Sequence, residues 1–472
     1  MKNRMITAFL SAVILICAFG VCVSAEESNS HLWVGGEYVA PEKAADPFGD
    51  GTVSFDLDTN TLTLNNFKYE GYGTEWPYED KTSAAAIIYD GERDFTLELK
   101  GENIVTQTGG ADLGYGMFFN SIAVITGTGK LTVKGSSASA VSYAVYAVRE
   151  LTVKGGEINA SVAGASPRSA ALCGSGVTVS GGVINAAGND DEWSAGIYSA
   201  KDFVISGGVI NAKGGKTNDY SAGIYSMENF TMTGGTVTAA GDTANRFSDG
   251  VYVGGDFAIS GGTLTATGGD ATEYSTGLYL TGDKVEINGG TVTLTGGDAG
   301  VNSCGINKAY TSNKDIKIGA SITSLSLSGK GAATTGTINS AVDGVGYENA
   351  DKTGEKSFIT PDEAHDELDY KLIEFPHSHT LTKVEAKQPT NRESGNIEYY
   401  VCSGCGGYFR DADGKIYIED KNSVIIPALG DEDAPTCSGF PWVWVVLAAV
   451  LICAAAVVII IIVIKKKKQT EV

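Results

Sequence analysis

Along the middle of the chain, apolar and polar side chains alternate in short runs, and the runs themselves recur. In Phe230-Thr231-Met232 and Thr236-Val237-Thr238-Ala239 the apolar residues sit two apart, which predicts short strands with one face inward and one outward. A third run surrounds Ile224. A Gly-Gly pair separates the first two of these runs, and the pairs begin at Gly155, Gly181, Gly207, Gly234, Gly261 and Gly289, a period of 26 to 28 residues. Such pairs permit a corner that residues bearing a Cβ resist. A fixed period of that length predicts stacked coils. Three strands per turn, with polar Thr236, Asn185, Asn211, Thr265 and Thr293 at the outward position, predict an all-β fold, a right-handed parallel β-helix. A β-sandwich built of hairpins would not hold one constant period.

The run Gly-Ile-Tyr extends the repeat in both directions. Its third position is filled by Tyr89, Phe118, Tyr146, Cys173, Tyr198, Tyr225, Tyr252, Tyr279 and Asn307, at spacings of 25 to 29. This gives about nine coils of ~27 residues from 84 to 335, with degenerate outer coils as caps. Cys173 then occupies a stacking position and reads as structural. Two aromatic ladders follow. Tyr198, Tyr225, Tyr252 and Tyr279 neighbour inward aliphatic residues, so alternation turns them outward, and their row is the candidate ligand-binding face for sugar rings or another protein. Trp193, Tyr220, Phe247 and Tyr274 share parity with the inward set, which places them inside or sealing a corner. Coils ~4.8 Å apart bring rings in either ladder into stacking range.

The two ends carry targeting signals. Residues 1–25 combine a charged start, an apolar stretch and the small-residue step Val23-Ser24-Ala25, the pattern of a secretory signal peptide. Near the other end, 442–464 is 23 residues without a charge, followed by Lys465–Lys468, which predicts one transmembrane helix with a cytoplasmic tail, 465–472. The expected location is therefore the cell membrane, single-pass, with the ectodomain extracellular. The stretch Ala434-Pro435-Thr436-Cys437-Ser438-Gly439, in the linker 430–441, lacks the leucine and Thr-Gly step of sortase-anchored surface proteins, so a retained anchor is expected rather than wall attachment.

A formal net charge of −22 repels nucleic acid and favours divalent cations or basic partners. Of eight cysteines, Cys17 and Cys22 belong to the signal and Cys453 to the predicted span, so the chain is not a disulfide scaffold. Corner acids, among them Asp190, Asp191, Glu192, Asp219, Asp242, Asp249, Asp270, Glu273 and Asp298, are candidate Ca2+ ligands, without the strict nonapeptide spacing of calcium-binding rolls. Between Gly91 and Asn339 there is no histidine, and Arg93, Arg149, Arg168 and Arg246 share no coil position. No catalytic residue is assigned. A non-enzyme is expected, with a polysaccharide lyase as the third reading.

The flanks differ from the repeats. The segment 26–83 opens with Leu32-Trp33-Val34-Gly35-Gly36 and contains Asp58-Thr59-Asn60-Thr61-Leu62-Thr63-Leu64-Asn65-Asn66; it predicts a β cap over the first coil. The solenoid and its C-terminal cap span 84–375. The following module, 376–429, holds His377, His379, Cys402 and Cys405, two nitrogen and two thiolate donors for a structural Zn2+, with a Cys402–Cys405 disulfide as the competing arrangement. The Trp-Val-Gly-Gly start, followed by Gly-Gly repeats, resembles a family of Firmicute cell-surface proteins. The repeats are similar to carbohydrate-binding β-helix proteins of cellulolytic clostridia, some of which bind acidic polysaccharide with calcium. The segment Pro389-Thr390 through Cys402, Cys405 and Asp413-Gly414 resembles a short Cys-x-x-Cys module appended to the same surface proteins, with Asn391 where those commonly carry a cysteine. The resemblance implies a surface-displayed adhesion or binding protein whose partner is a polysaccharide or a surface protein. The alternative is a passive structural stalk.

Overall fold

The computed structural model describes residues 31–78, 80–164, 166–308, 313–361, 364–365, 370–404, 406–418 and 420–429. The chain forms two compact units, one of residues up to 381 together with 401–407, the other of 382–400 and residues from 408 on.

In the larger unit, each repeat closes into a coil because its Gly-Gly pair turns where other residues cannot. The second glycine of each pair has positive φ, from 79° at Gly182 to 89° at Gly262. A Cβ on the first would lie 2.5 Å from the Lys154 carbonyl oxygen at Gly181 and 2.6 Å from that of Ser180 at Gly207. The coils stack as three series of parallel strands. One runs through Lys81–Tyr89, Ala111–Phe119, Ala138–Val153, Arg168–Val179, Asp191–Ser199, Thr217–Ser226, Phe247–Val253, Tyr274–Leu280 and Asn302–Asn307. The others carry the Phe-x-Ile and Val-x-Ala runs. The expected all-β parallel solenoid of about nine turns is thus present.

Identical registers stack like on like. Inside, Phe203, Phe230 and Phe257 lie face to face at 5.6 and 5.1 Å, above Ile224, Val237 and Leu264, all buried. Buried Ser194, Ser221, Ser248 and Ser275 satisfy corner amides one coil on: Gly215 N–H donates to Ser194 Oγ at 3.0 Å, Asp242 N–H to Ser221 at 2.9 Å and Gly269 N–H to Ser248 at 2.8 Å. On the polar face Asn211 donates to Asn185 and Asn185 to Asn159, both at 2.8 Å.

Both solenoid ends are covered by antiparallel strands. Leu32–Val34 and Thr74–Tyr78 pair along Lys81–Tyr89, and Leu372–Phe375 pairs with Asp315–Ser328. The smaller unit contains the short pairing of Gly395–Asn396 with Ile425–Ile426.

Two expectations are corrected here. The first concerns the transmembrane helix and, with it, the single-pass membrane location. A span needs ~20 apolar residues that bond their own backbone. Among the described residues the only helices are the 3-10 turns Pro41–Lys43 and Lys421–Val424, and none is long and apolar enough to cross a membrane. The predicted span, 442–464, lies outside the described residues, as do the signal 1–25, the linker 430–441 and the tail. The second correction is of register. Phe118 pairs with Ile88, not Tyr89; Tyr89 turns into the core and stacks on Phe95 at 4.5 Å.

Candidate functional site

The outer face of the first strand series carries three rows of side chains. One holds Tyr198, Tyr225, Tyr252 and Tyr279, in consecutive register. A second holds Trp193, Tyr220, Phe247 and Tyr274, which the alternation argument had placed inside or at a corner. They lie outside because the alternation slips between Ala222 and Ile224. At Gly223 a Cβ would sit 2.3 Å from the Ala240 amide nitrogen, so here the backbone itself, not a side chain, fills the interior. Ala195 and Trp193 therefore join Tyr198 in one outer apolar cluster, while Ile197 belongs to the core.

The two aromatic rows cover each other. Within the tyrosine row, rings stack at 5.6 Å (Tyr198–Tyr225), 4.1 Å (Tyr225–Tyr252) and 5.7 Å (Tyr252–Tyr279). Rings of the other row meet them edge-on, Trp193 to Tyr225 at 5.3 Å and Tyr220 to Tyr225 at 5.4 Å. Tyr198 is left 8 % exposed, and burial drives the Tyr225 phenol well above its ordinary pKa. The predicted tyrosine row is thus brought together as a mutually packed layer, with Tyr198 buried and Tyr225, Tyr252 and Tyr279 half-buried. Cys173 lies in the same row, buried between Tyr146 and Tyr198, in keeping with a structural role.

Beneath the layer runs a third row of small residues, Ala170, Ala195 and Ala222, and in register with them comes Asp249. It is no corner residue. Its carboxyl is fully buried, accepts hydrogen bonds from Tyr220 Oη and from Thr276 Oγ1 (2.5 Å), and is raised by that burial from 3.8 to about 7. Most of the other acids named are engaged locally. Asp190 accepts from the Lys216 amide at 2.9 Å, Asp191 from the Ser166 amide at 2.6 Å, and Asp242 pairs with Lys213 at 2.7 Å. Arg246 bridges Asp219 and Glu273 at 2.9 and 3.1 Å. Among the described residues, the corner acids form no group of three or more close enough to share one ion.

Toward the amino-terminal end the same outer face opens into a cavity of about 400 Å3. There the aromatic residues shift rows: Tyr115 and Tyr143 occupy the middle row, which downstream holds alanine, beside Phe118 and Tyr146. Trp76 reaches over them from Thr74–Tyr78, 5.9 Å from Tyr115 and 5.0 Å from Phe118, and Trp33 lines the far wall. Thr74, Glu75, Lys81, Ser83, Asp90 and Asn120 are the polar residues of this lining. Asp90 accepts from Asn120 Nδ2 at 2.8 Å, and burial raises its carboxyl above the usual range. Thr74 Oγ1 and Ser83 Oγ are buried without a hydrogen-bond partner. Both oxygens are closed off from the open space, so the polar groups a ligand would meet are those of Glu75, Lys81, Asp90 and Asn120. A volume of this size, with apolar walls and a few placed polar groups, is the form of a small-molecule site. Sequence reasoning missed it, because Trp33 and Trp76 lie outside the repeat; the one available signal was the aromatic enrichment of Tyr115, Phe118, Tyr143 and Tyr146.

Three of the four predicted metal ligands meet. The donor atoms of His377, His379 and Cys402 lie within 4.8 Å of one another. Cys405 lies outside the described residues.

No curated protein and no solved structure matches the chain. The beta helix repeat family model matches residues 177–197, 203–224 and 257–275, all within the stacked coils, and together with the parallel strand series it supports a β-helix repeat protein.

Proposed function

We propose that the chain is a polysaccharide-binding protein that seats neutral sugar residues in the cavity walled by Trp33, Trp76, Tyr115 and Tyr143. The observation that carries this reading is the pairing of an aromatic lining with the Asp90 and Asn120 side chains in the same cavity. A pyranose offers both an apolar face for the rings and hydroxyls for those two polar groups. Among the charged groups lining the cavity, Glu75 and Asp90 outnumber Lys81, so a uronate would meet more negative than positive charge. The reading is of binding without turnover, along the face where the tyrosine row was expected to act, but at its amino-terminal end.

The test is calorimetric titration of neutral and acidic oligosaccharides, with the solution assayed for cleavage products. Trp76→Ala should weaken binding at least ~10-fold, about the ~1.4 kcal/mol of one aromatic contact. Asn120→Ala should also weaken it, and Tyr252→Ala should not. Loss at Tyr252 with Trp76→Ala silent would return the site to the tyrosine row. Released products would overturn binding without turnover.

A further inference from the structure

We propose that His377, His379 and Cys402 form a Zn2+ site, with Asp343 as its outer partner, and that the ion clamps the turn at 401–407 onto the segment that leaves the solenoid. This site is independent of the sugar cavity. The His377 and His379 rings lie 5.0 Å apart at 80°, and one nitrogen of each lies within 4.8 Å of the other and of the Cys402 sulfur, so the three donors converge on one point. Cys402 is fully buried and brings its sulfur to that point, 3.4 Å from His377 Nε2. In a tetrahedral site with Zn–N of 2.0–2.1 Å and Zn–S of 2.3 Å, nitrogen and sulfur ligands lie about 3.6 Å apart. The observed edge is already close to that length.

The surroundings hold the donors in place. Asp343 Oδ2 lies 3.1 Å from His379 Nε2, the carboxylate–histidine contact that orients a metal-bound imidazole. It commits one ring nitrogen and leaves Nδ1 for an ion. Phe358 packs edge-on against the same ring at 5.0 Å. Gly404 makes room for His377, since a Cβ there would lie 2.6 Å from its Cε1. A mixed imidazole and thiolate set selects zinc over calcium or magnesium, which take oxygen ligands. On binding, Zn2+ replaces the Cys402 thiol proton, which is released to solvent, so affinity rises with pH.

The experiment uses the full chain, purified under reducing conditions, stripped of metal and reloaded. With Zn2+ it should retain one ion through gel filtration and melt at a higher temperature. With Co2+ it should show a near-ultraviolet thiolate-to-cobalt charge-transfer band and the intense visible bands of a tetrahedral ion. Cys402→Ser should abolish the charge-transfer band. Asp343→Asn should keep the band and weaken Zn2+ binding ~10–100-fold. Failure of the wild-type chain to retain Zn2+ would overturn the proposal, as would a charge-transfer band unchanged in Cys402→Ser, or Cys402 mapped to a disulfide in the non-reduced chain. Should Cys402→Ser fail to fold, the wild-type cobalt spectrum and the Asp343→Asn affinity decide the matter.

Discussion

At the scale of single residues, Asp249 stands apart from every other member of its row. Coils above it put alanine at this position, and the coil below puts Thr276. A lone carboxyl under an aromatic layer pays for desolvation when charged, and two hydroxyl donors offset only part of that cost. Burial therefore raises it to about 7 from 3.8. Between pH ~4 and ~7 the folded chain keeps a proton that the unfolded chain has lost, so the stability this group supplies is complete below ~4 and lost as pH rises through 7. The slope is up to ~1.4 kcal/mol per pH unit in that window. Asp249→Asn should flatten it: melting temperatures measured at pH 5 and pH 8 should differ less in the variant than in wild type. Equal differences would show that Asp249 does not titrate across this range. In sequence the period already set Asp249 level with Ala222, but its charge grouped it with the corner acids, and the burial of that row is seen only in the fold.

At the scale of the element, the repeat was legible where one residue type answers one physical demand. Gly-Gly marked the corners, and Phe-x-Ile marked the inward pair. The aromatic rows were half legible. The tyrosine ladder was turned outward, as found, but Tyr220 was placed inside or at a corner, since strict alternation has no place for a glycine whose backbone fills the core. The slip from Tyr89 to Ile88 has a related cause: pattern matching prefers an aromatic to an aliphatic residue, whereas the first coil puts its tyrosine inside to meet Phe95. If Gly223 is required by close approach, Gly223→Ala should destabilise the solenoid by ~1–3 kcal/mol or more, the cost of overpacking a filled interior. Gly110→Ala is the matching control, because a Cβ there meets nothing within 4 Å. Denaturant midpoints of the two variants should separate clearly. Coincident midpoints would mean that the neighbouring strand gives way without cost, and the account of the broken alternation would fall.

At the scale of the whole solenoid, stability follows from nearest-neighbour stacking, so each interior coil is held on both sides and the terminal coils on one. An open parallel edge is also a template for pairing with another chain. The amino-terminal edge, Lys81–Tyr89, is covered in two pieces: Leu32–Val34 sets Leu32 opposite Tyr89, and Thr74–Tyr78 sets Thr74 opposite Ala85. These same two strands supply Trp33 and Trp76, so the cover of the edge is also the wall of the cavity. Neither role was readable from the repeats, because both strands pair antiparallel and lie outside the period. Deleting 31–39 should therefore have two coupled effects. Ile87, Ile88 and Tyr89 lose their partners, and the chain should elute from size exclusion as larger, concentration-dependent species than the full chain. The cavity also loses its Trp33 wall, and oligosaccharide binding should weaken with it. Trp33→Ala in the full chain, which keeps the backbone pairing of the first strand, should leave elution unchanged and still weaken binding. If elution is unchanged by the deletion, the first strand does not guard the edge. If Trp33→Ala binds like wild type, Trp33 is no part of the site, and the cavity's recognition rests on Trp76 and the Tyr115 and Tyr143 rings alone.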